Sequence, residues 1–432
     1  MIELTLACLV GCGLGTAAGI LPGFSSSTIM IATMPLLLLL PPNMVIAFYI
    51  GLVTLTQYFG GASSSLLGIP TENSCLPSVT EGYALVRNNK TKTALSSGAA
   101  ASFCGSVIAI VISLILCNFL TSLSYIFNYT VQLVLLTATF ILVCSANGKY
   151  ISNITLCIWG YLVASVGINK ITNEPFATFN NPYLFGGLPS SIVLLSFYSL
   201  PLVLCFTNSA TNTNSCMSSE KVKLPLITLL RSSIIGYICG FIPMLSIVIS
   251  SNLSYAIEKK LRGSNYTVGD ANCLSASDCA HNSGLIASLI PLFVFAIPIV
   301  PSEYVLYDVV TRHGASFSYA WLQSNILWIG CGFALANCIG YLCAYPLAIQ
   351  LVRYLTKNFA LLKYSSVIIL VFCILLIGFI NDSMVFYLVI TAVFLPLGLI
   401  LRKFDKMPFV IGLLVGPQYE TVARIIYGLY GN

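Results

Sequence analysis

Long apolar runs, cut by short polar, glycine or proline punctuation, follow one another along the whole chain. The runs are continuous and do not alternate in ~10-residue segments, which predicts membrane-crossing helices and argues against an outer-membrane barrel. Spans are expected near residues 3–21, 26–40, 43–59, 94–117, 131–146, 151–168 and 191–206. A second series is expected near 226–250, 284–300, 318–347, 365–380 and 383–401, with a short apolar piece at 408–416. A hydrocarbon core takes about 20 apolar residues per helical span, so the chain has room for roughly ten to twelve spans. The fold expected is an all-α, polytopic transmembrane helical bundle embedded in a lipid bilayer.

Composition sharpens the picture. Of 432 residues, 57% are apolar and only 7% charged, against roughly 25% charged in soluble proteins. The net charge of +6 is spread over loops without a basic block, so nucleic acid is not an expected partner. Under the positive-inside rule the basic loops at Arg87 to Lys92, Arg353 to Lys363 and Arg402 to Lys406 are the best cytoplasmic candidates. Sixteen cysteines contain no CxxC pair, and many sit in apolar runs, so they are expected to pack as small apolar residues. The beginning Met1-Ile2-Glu3 lacks the basic n-region of a secretory signal, and the first helix is expected to stay.

The stretch 207–223, rich in Thr, Asn and Ser, reads as a polar linker between a first transmembrane repeat over 1–206 and a second over 224–432. Gly15, Gly19 and Pro22 recur as Gly236, Gly240 and Pro243 at a constant offset of 221, and Ile69-Pro70 recurs as Ile297-Pro298 at 228. GxxxG spacing alone is common helix packing, but two ordered matches point to an internal repeat. Each motif puts proline inside or at the end of an apolar run, where it breaks a helix. Paired interrupted segments in corresponding halves are the best pointer to a transporter's central site.

Candidate chemistry gathers at those breaks. Pro22-Gly23-Phe24-Ser25-Ser26-Ser27 offers free backbone donors and hydroxyls where a new helix begins, a setting that suits an anion; the plainer role for Ser25 is a helix cap. The stretch Tyr58 to Thr71 reads as a second loop of this kind, with Gly60, Gly61, Ser63, Ser64 and Pro70, although tight helix packing accounts for it equally well. Glu72 follows that stretch, and Glu81 reads as part of a solvated loop. Asp278, His281 and Asn282 precede an apolar segment and are candidates for holding a coupling ion or proton, with a wet loop as the alternative. Glu303 and Asp308 are placed to face the same cavity, while Arg231 is expected to snorkel. No HExxH, GxSxG or P-loop lysine is present, so neither enzymatic activity nor a cofactor is expected. With His281 and His313 the only histidines, a zinc site of three or more histidines is excluded.

These residues resemble the large permease subunit of tripartite tricarboxylate transporters, the TctA family. The resemblance is carried by Gly15-Thr16-Ala17-Ala18-Gly19-Ile20-Leu21-Pro22-Gly23, Tyr58 to Ser63, Gly68-Ile69-Pro70 and Glu81-Gly82-Tyr83 in the first half. In the second it is carried by Gly236 to Pro243, Tyr255 to Lys259, Asp278 to Ser283, Ile290-Pro291 through Pro298, and Gly412 to Arg424. The chain departs from the family at Pro70-Thr71, Pro243-Met244 and Pro298-Ile299, where Pro-Gly is usual, and at Ser277-Asp278, where Pro-Glu is usual. The resemblance implies a multi-pass permease of a prokaryotic plasma (inner) membrane. It implies uptake of a small organic anion coupled to a cation gradient, with a small membrane subunit and an extracytoplasmic binding protein as partners.

The function expected is secondary active transport of a small organic anion, a di- or tricarboxylate, with Na⁺ or H⁺ as coupling ion. Substrate would be met at the Pro22, Pro70, Pro243 and Pro298 breaks and their glycines and serines. A passive anion channel and a non-transporting membrane scaffold are the alternatives.

Overall fold

The structure, a computed structural model, describes residues 2–21, 25–68, 70–123, scattered positions between 130 and 144, then 149–169, 174–205, 225–242, 246–357, 359–380, 383–404 and 406–430. Pro22, Gly23, Pro243 and the expected linker 207–223 lie outside them. The described chain is overwhelmingly helical: α1 (Ile2–Ile20), α2 (Ser26–Leu37), α3 (Pro42–Leu67), α4 (Tyr83–Arg87), α5 (Thr91–Leu123), α6 (Tyr150–Ser165), α7 (Pro182–Phe185), α8 (Ser190–Leu194) and α9 (Leu200–Cys205). There follow α10 (Leu226–Cys239), α11 (Ser246–Arg262), α12 (Ala271–Phe295), α13 (Pro301–Arg312), α14 (Tyr319–Lys357), α15 (Phe359–Ile380), α16 (Met384–Ile400) and α17 (Met407–Tyr430). A two-residue antiparallel pair, β1 (Gly167–Ile168) and β2 (Pro175–Phe176), is the only sheet among the described residues.

Among the described residues six helical segments, against the roughly ten to twelve spans expected, are long and apolar enough to cross a bilayer: Ile2–Ile20, Pro42–Leu67, Thr91–Leu116, Ala271–Phe295, Tyr319–Ala344 and Met384–Lys403. The run expected over 131–146 lies largely outside the described residues, and the others become helical, with three differences. The single span expected over 226–250 is two helices, α10 and α11. The span expected from 284 begins thirteen residues earlier, at Ala271, because the polar stretch before it is helical. The short piece at 408–416 is the first part of α17, which continues through Pro417.

The chain divides into two compact units, one of residues 1–30, 36–121 and 207–362, the other of 31–35, 122–206 and 363–432. In the first unit α3 and α12 are the inner helices: 94% of the apolar window of each is buried, against 39% for α1 and 28% for α14. Outer helices show lipid-type faces, as α10 does with exposed Ile227, Leu230, Ile234 and Ile238 opposite buried Ser232, Ser233 and Gly236.

Small residues let the backbones meet. α1 lies along α3, where a Cβ on Gly11, Gly15 or Gly19 would run into the carbonyls of Phe48, Leu52 and Thr56. α10 lies along α12, where a Cβ on Gly236 or Gly240 would run into those of Ala280 and Gly284. The long helices then cross over: α5 packs on α12, with Gly105 against the Cys279 carbonyl, and reaches α10, with the Ser113 and Tyr237 hydroxyls 2.9 Å apart, while α14 packs on α3, with Gly340 against the Tyr58 ring.

In the second unit α6 and α17 pair through Gly160 and Gly412. Trp159, Phe197, Phe394 and Phe409 make its aromatic core. Lys406, expected in a basic loop, is instead buried there, its Nζ donating to the Phe197 carbonyl at 3.1 Å. Glu420 accepts from Tyr161, Asn169 and Arg424.

Candidate functional site

The glycines and serines expected in a loop over 58–71 belong to a helix. α3 continues to Leu67 and ends at Gly68, whose φ of 69° requires glycine and whose N–H bonds the Ser64 carbonyl at 2.9 Å. Gly60, Gly61, Ser63 and Ser64 are buried in its last turns, so their backbone N–H groups are committed to the helix and do not form an anion-binding loop. Their small size serves contact. Ser63 donates to the Gly19 carbonyl of α1 at 2.7 Å, and Ser64 Oγ accepts the Thr71 N–H at 3.1 Å. Beyond Gly68 the chain folds back through exposed Pro70, a 3₁₀ turn (Asn73–Cys75) and a π turn (Ser78–Gly82) into α4.

That returning segment meets α12. The stretch 275–283 is the interior of α12 and is fully buried. Its polar side chains mostly close local or interhelical bonds: Ser275 back to the Ala271 carbonyl, Ser277 to Ser251 at 2.8 Å, and Ser283 to the Ser233 carbonyl at 2.7 Å. Such back-bonding lets poor helix formers persist in a helix.

Asp278 is different. Its Oδ1 accepts one hydrogen bond, from Ser78 Oγ at 3.1 Å, and among the described residues no ion pair includes it. Two glycines flank the carboxyl: a Cβ on Gly61 would lie 3.6 Å from Oδ1, and one on Gly98 2.6 Å from Oδ2. One turn on, His281 Nε2 and Asn282 Oδ1 are buried without a hydrogen-bond partner. A buried carboxylate with one neutral donor carries a desolvation cost that a cation or a proton relieves. The site therefore has the chemistry to hold either.

The other acidic groups expected near this region are spoken for. Glu81, expected in a wet loop, is fully buried and accepts from the Tyr255 and Tyr266 hydroxyls at 2.9 and 2.7 Å and from the Gly269 and Asp270 N–H groups at 2.6 and 2.9 Å. Glu303 does not face an open cavity; it caps the start of α13, taking the Ile299 and Val300 N–H groups at 2.6 and 3.1 Å and the Ser288 hydroxyl at 2.7 Å. Buried Pro298 lies in the connection it caps. Asp308 pairs with Arg312 on the same helix, and Arg231, expected to snorkel, pairs with Glu258.

Ser25 is the cap of α2, its Oγ accepting the Thr28 N–H at 3.3 Å and lying 2.7 Å from Ser27 Oγ. Ser26 is buried in the first turn. The structure thus brings Gly61 and Asp278 together and leaves Pro70 apart at the surface. Sequence reading missed Ser78, and it missed Gly98, whose only signal was a run of small residues, Ser96-Ser97-Gly98-Ala99.

A polytopic helical bundle whose buried Asp278 pairs with no basic side chain among the described residues has the architecture expected of a membrane transport protein. Residues 5–411 match the model of the tripartite tricarboxylate transporter TctA family, and the chain belongs to that family. It is a multi-pass membrane component of a tricarboxylate transporter, a family whose systems include partner subunits. It is similar to an Agrobacterium vitis protein described as an uncharacterized 52.8 kDa protein in the TAR-I ttuC' 3'region, with 24% identity over 443 residues, 96% of this chain and 86% of the relative. No solved structure matches the chain.

Proposed function

We propose that this protein is the permease of a secondary active transporter that moves a di- or tricarboxylate across a prokaryotic plasma membrane. A Na⁺ or H⁺ gradient drives it, together with a small membrane subunit and an extracytoplasmic binding protein. The observation that carries the reading is Asp278: buried in mid-helix, held by one serine hydroxyl, and flanked by Gly61 and Gly98. Asp278, His281 and Asn282 are proposed to handle the coupling ion. The Ser25 to Ser27 turn, Gly60, Gly61, Ser63, Ser64 and the Pro22, Pro70, Pro243 and Pro298 breaks are proposed to shape the substrate path.

Two repeats, 1–206 and 224–432, are part of the proposal. Its support is the register of the helix crossings. Gly15 meets Leu52 and Gly19 meets Thr56, while Gly236 meets Ala280 and Gly240 meets Gly284. The glycines are offset by 221 and their partners by 228, the offsets the motifs carry. Both compact units draw on both halves, as expected when two repeats interlock.

The test is uptake of labelled carboxylates into proteoliposomes under an imposed Na⁺ or H⁺ gradient, with and without the two partner subunits. Saturable, gradient-dependent uptake with counterflow supports the carrier. Non-saturating flux indifferent to the gradient would make it a channel, and no flux with partners present would leave a scaffold.

A further inference from the structure

The two inner helices of the first unit, α3 and α12, are equivalent elements that run in opposite directions. Both end in left-handed caps 228 residues apart, Gly68 with φ 69° and Ala296 with φ 55°. Ser302, just beyond the end of α12, meets Tyr49 near the start of α3, their hydroxyls 3.0 Å apart. Ser74, just beyond the end of α3, is tied to Ser277 near the start of α12. The tie is Ser251, which bonds the Ser74 carbonyl at 2.5 Å and the Ser277 hydroxyl at 2.8 Å. Ser74 and Ser302 are 228 residues apart, and so are Tyr49 and Ser277. Each inner helix therefore finishes where its counterpart begins.

The remaining contacts assign the connections of this unit to two edges. α14 runs with α3, since Gly332 faces Ile50 and Gly340 faces Tyr58; α10 runs with α12, since Gly236 faces Ala280 and Gly240 faces Gly284. Glu81 takes the Gly269 and Asp270 N–H groups, which sets the turn before α5 beside the start of α12. One edge thus gathers the ends of α3, α11 and α14 and the starts of α5, α10 and α12. It carries three basic residues over 87–92, three over 259–262, Arg231, and Arg353 and Lys357 late in α14. The other edge holds the end of α12 and the start of α14, and His313 Nε2 lies there 3.0 Å from the Leu38 carbonyl. Among the described residues of the unit, Arg312 is the only Lys or Arg at that edge. Asp278 is seven residues from Ala271 and seventeen from Phe295. At 1.5 Å per residue it sits about 10 Å from the basic edge and about 26 Å from the other. Its donor Ser78 belongs to the segment 68–82, which enters from the basic edge.

We infer that the two repeats cross the membrane in opposite directions with the basic edge in the cytoplasm, and that Asp278 exchanges its ion with the cytoplasm in this conformation. Basic residues are retained on the cytoplasmic side of short connections, and a nine-to-one imbalance decides the orientation. Oppositely inserted repeats place a shared site between equivalent helices. Here the site is one-sided: Ile50 stands at the position equivalent to Asp278. The connection equivalent to 68–82 lies at the outer edge, where Glu303 holds the Ile299 and Val300 N–H groups. That Asp278 handles an ion rests on the carrier reading above; the orientation of the repeats does not.

The test is labelling of single added cysteines in the full-length chain with membrane-impermeant thiol reagents, read above the labelling of the unsubstituted chain. Asn88→Cys, Ser264→Cys and Ser316→Cys lie at exposed positions, where the change does not touch packing. The first two should react with an impermeant maleimide in inside-out vesicles and not in intact cells, and Ser316→Cys the reverse. Asn88→Cys and Ser316→Cys reacting from one side would make the repeats parallel and overturn the inference, as would a basic edge labelled from outside. The buried Ser78→Cys, beside the Asp278 carboxyl, should react with a small cationic methanethiosulfonate added to inside-out vesicles and not with the same reagent outside cells. Reaction from outside only, or from neither side, would overturn the cytoplasmic opening. Labelling needs no transport, so the expected pattern without gradient-driven uptake would strike the carrier reading alone. Gradient-driven uptake with both loops on one side would strike this inference alone.

Discussion

A Cβ built on Gly19 would lie 2.7 Å from the carbonyl oxygen of Thr56, and one on Gly240 would lie at the same 2.7 Å from that of Gly284. Both contacts are backbone against backbone, so neither can be relieved by a side chain swinging away. Gly19→Ala and Gly240→Ala should each destabilise the protein by about 1–3 kcal/mol, the range for overpacking. Gly13 faces open space on the same helix as Gly19, and Gly13→Ala should be neutral or slightly stabilising. Thermal unfolding in detergent separates the three; equal midpoints would show that α1 and α10 move off their partners freely.

Asp278→Asn should abolish gradient-driven uptake while leaving expression and elution profile unchanged. Gly98→Ala should reduce uptake as well, because the added methyl would sit 2.6 Å from Asp278 Oδ2. Uptake rates at equal protein density in the membrane provide the check. Normal rates in both variants would remove Asp278 from the transport path.

Glu81 gathers the Tyr255 hydroxyl from α11 and, from the connection between α11 and α12, the Tyr266 hydroxyl and two backbone N–H groups. Tyr266→Phe should cost about 1–3 kcal/mol, because it leaves a buried carboxylate short of a donor. In Glu81→Gln the same phenylalanine substitution should cost less, and a double-mutant cycle on unfolding midpoints reads the coupling. Additive effects would mean that the tyrosine and glutamate act independently.

At the start of α2 the two serines should part company. Ser25→Ala removes the cap on the Thr28 N–H and should cost about 1 kcal/mol of stability, with transport lowered less than in Ser26→Leu. Ser26→Leu places a large side chain at a buried position and should block uptake. Wild-type uptake by Ser26→Leu would take this turn off the substrate path.

The helices were legible because bilayer-crossing runs are long and continuous, and boundaries such as Ile2–Ile20 and Met384–Ile400 fell close to the expected ones. What misled was local polarity. Ser, Asn, Asp and Gly clustered at 58–68 and 275–283 look like loops because in water those residues favour turns. Here their hydroxyls bond back to helix carbonyls or across to neighbours, and other helices shield them from lipid. Glu81 was misread for the same reason: its four donors come from residues 255–270, far away in sequence. Asp278 was legible as a rare acid beside an apolar run, but the glycines that flank it belong to α3 and α5, which only the fold brings near.

The exchange of long helices has a consequence for how the chain is made. α5 lies on α12, and α14 lies on α3. A ribosome delivers α3 and α5 to the bilayer long before either partner exists, so the serine- and glycine-lined faces of both must wait in lipid for the second half of the message. Truncation after residue 206 should therefore yield an inserted but short-lived fragment that membrane quality-control proteases remove, and supplying 224–432 as a separate chain should protect it. Pulse-chase labelling of the fragment, alone and co-expressed, would follow that maturation directly.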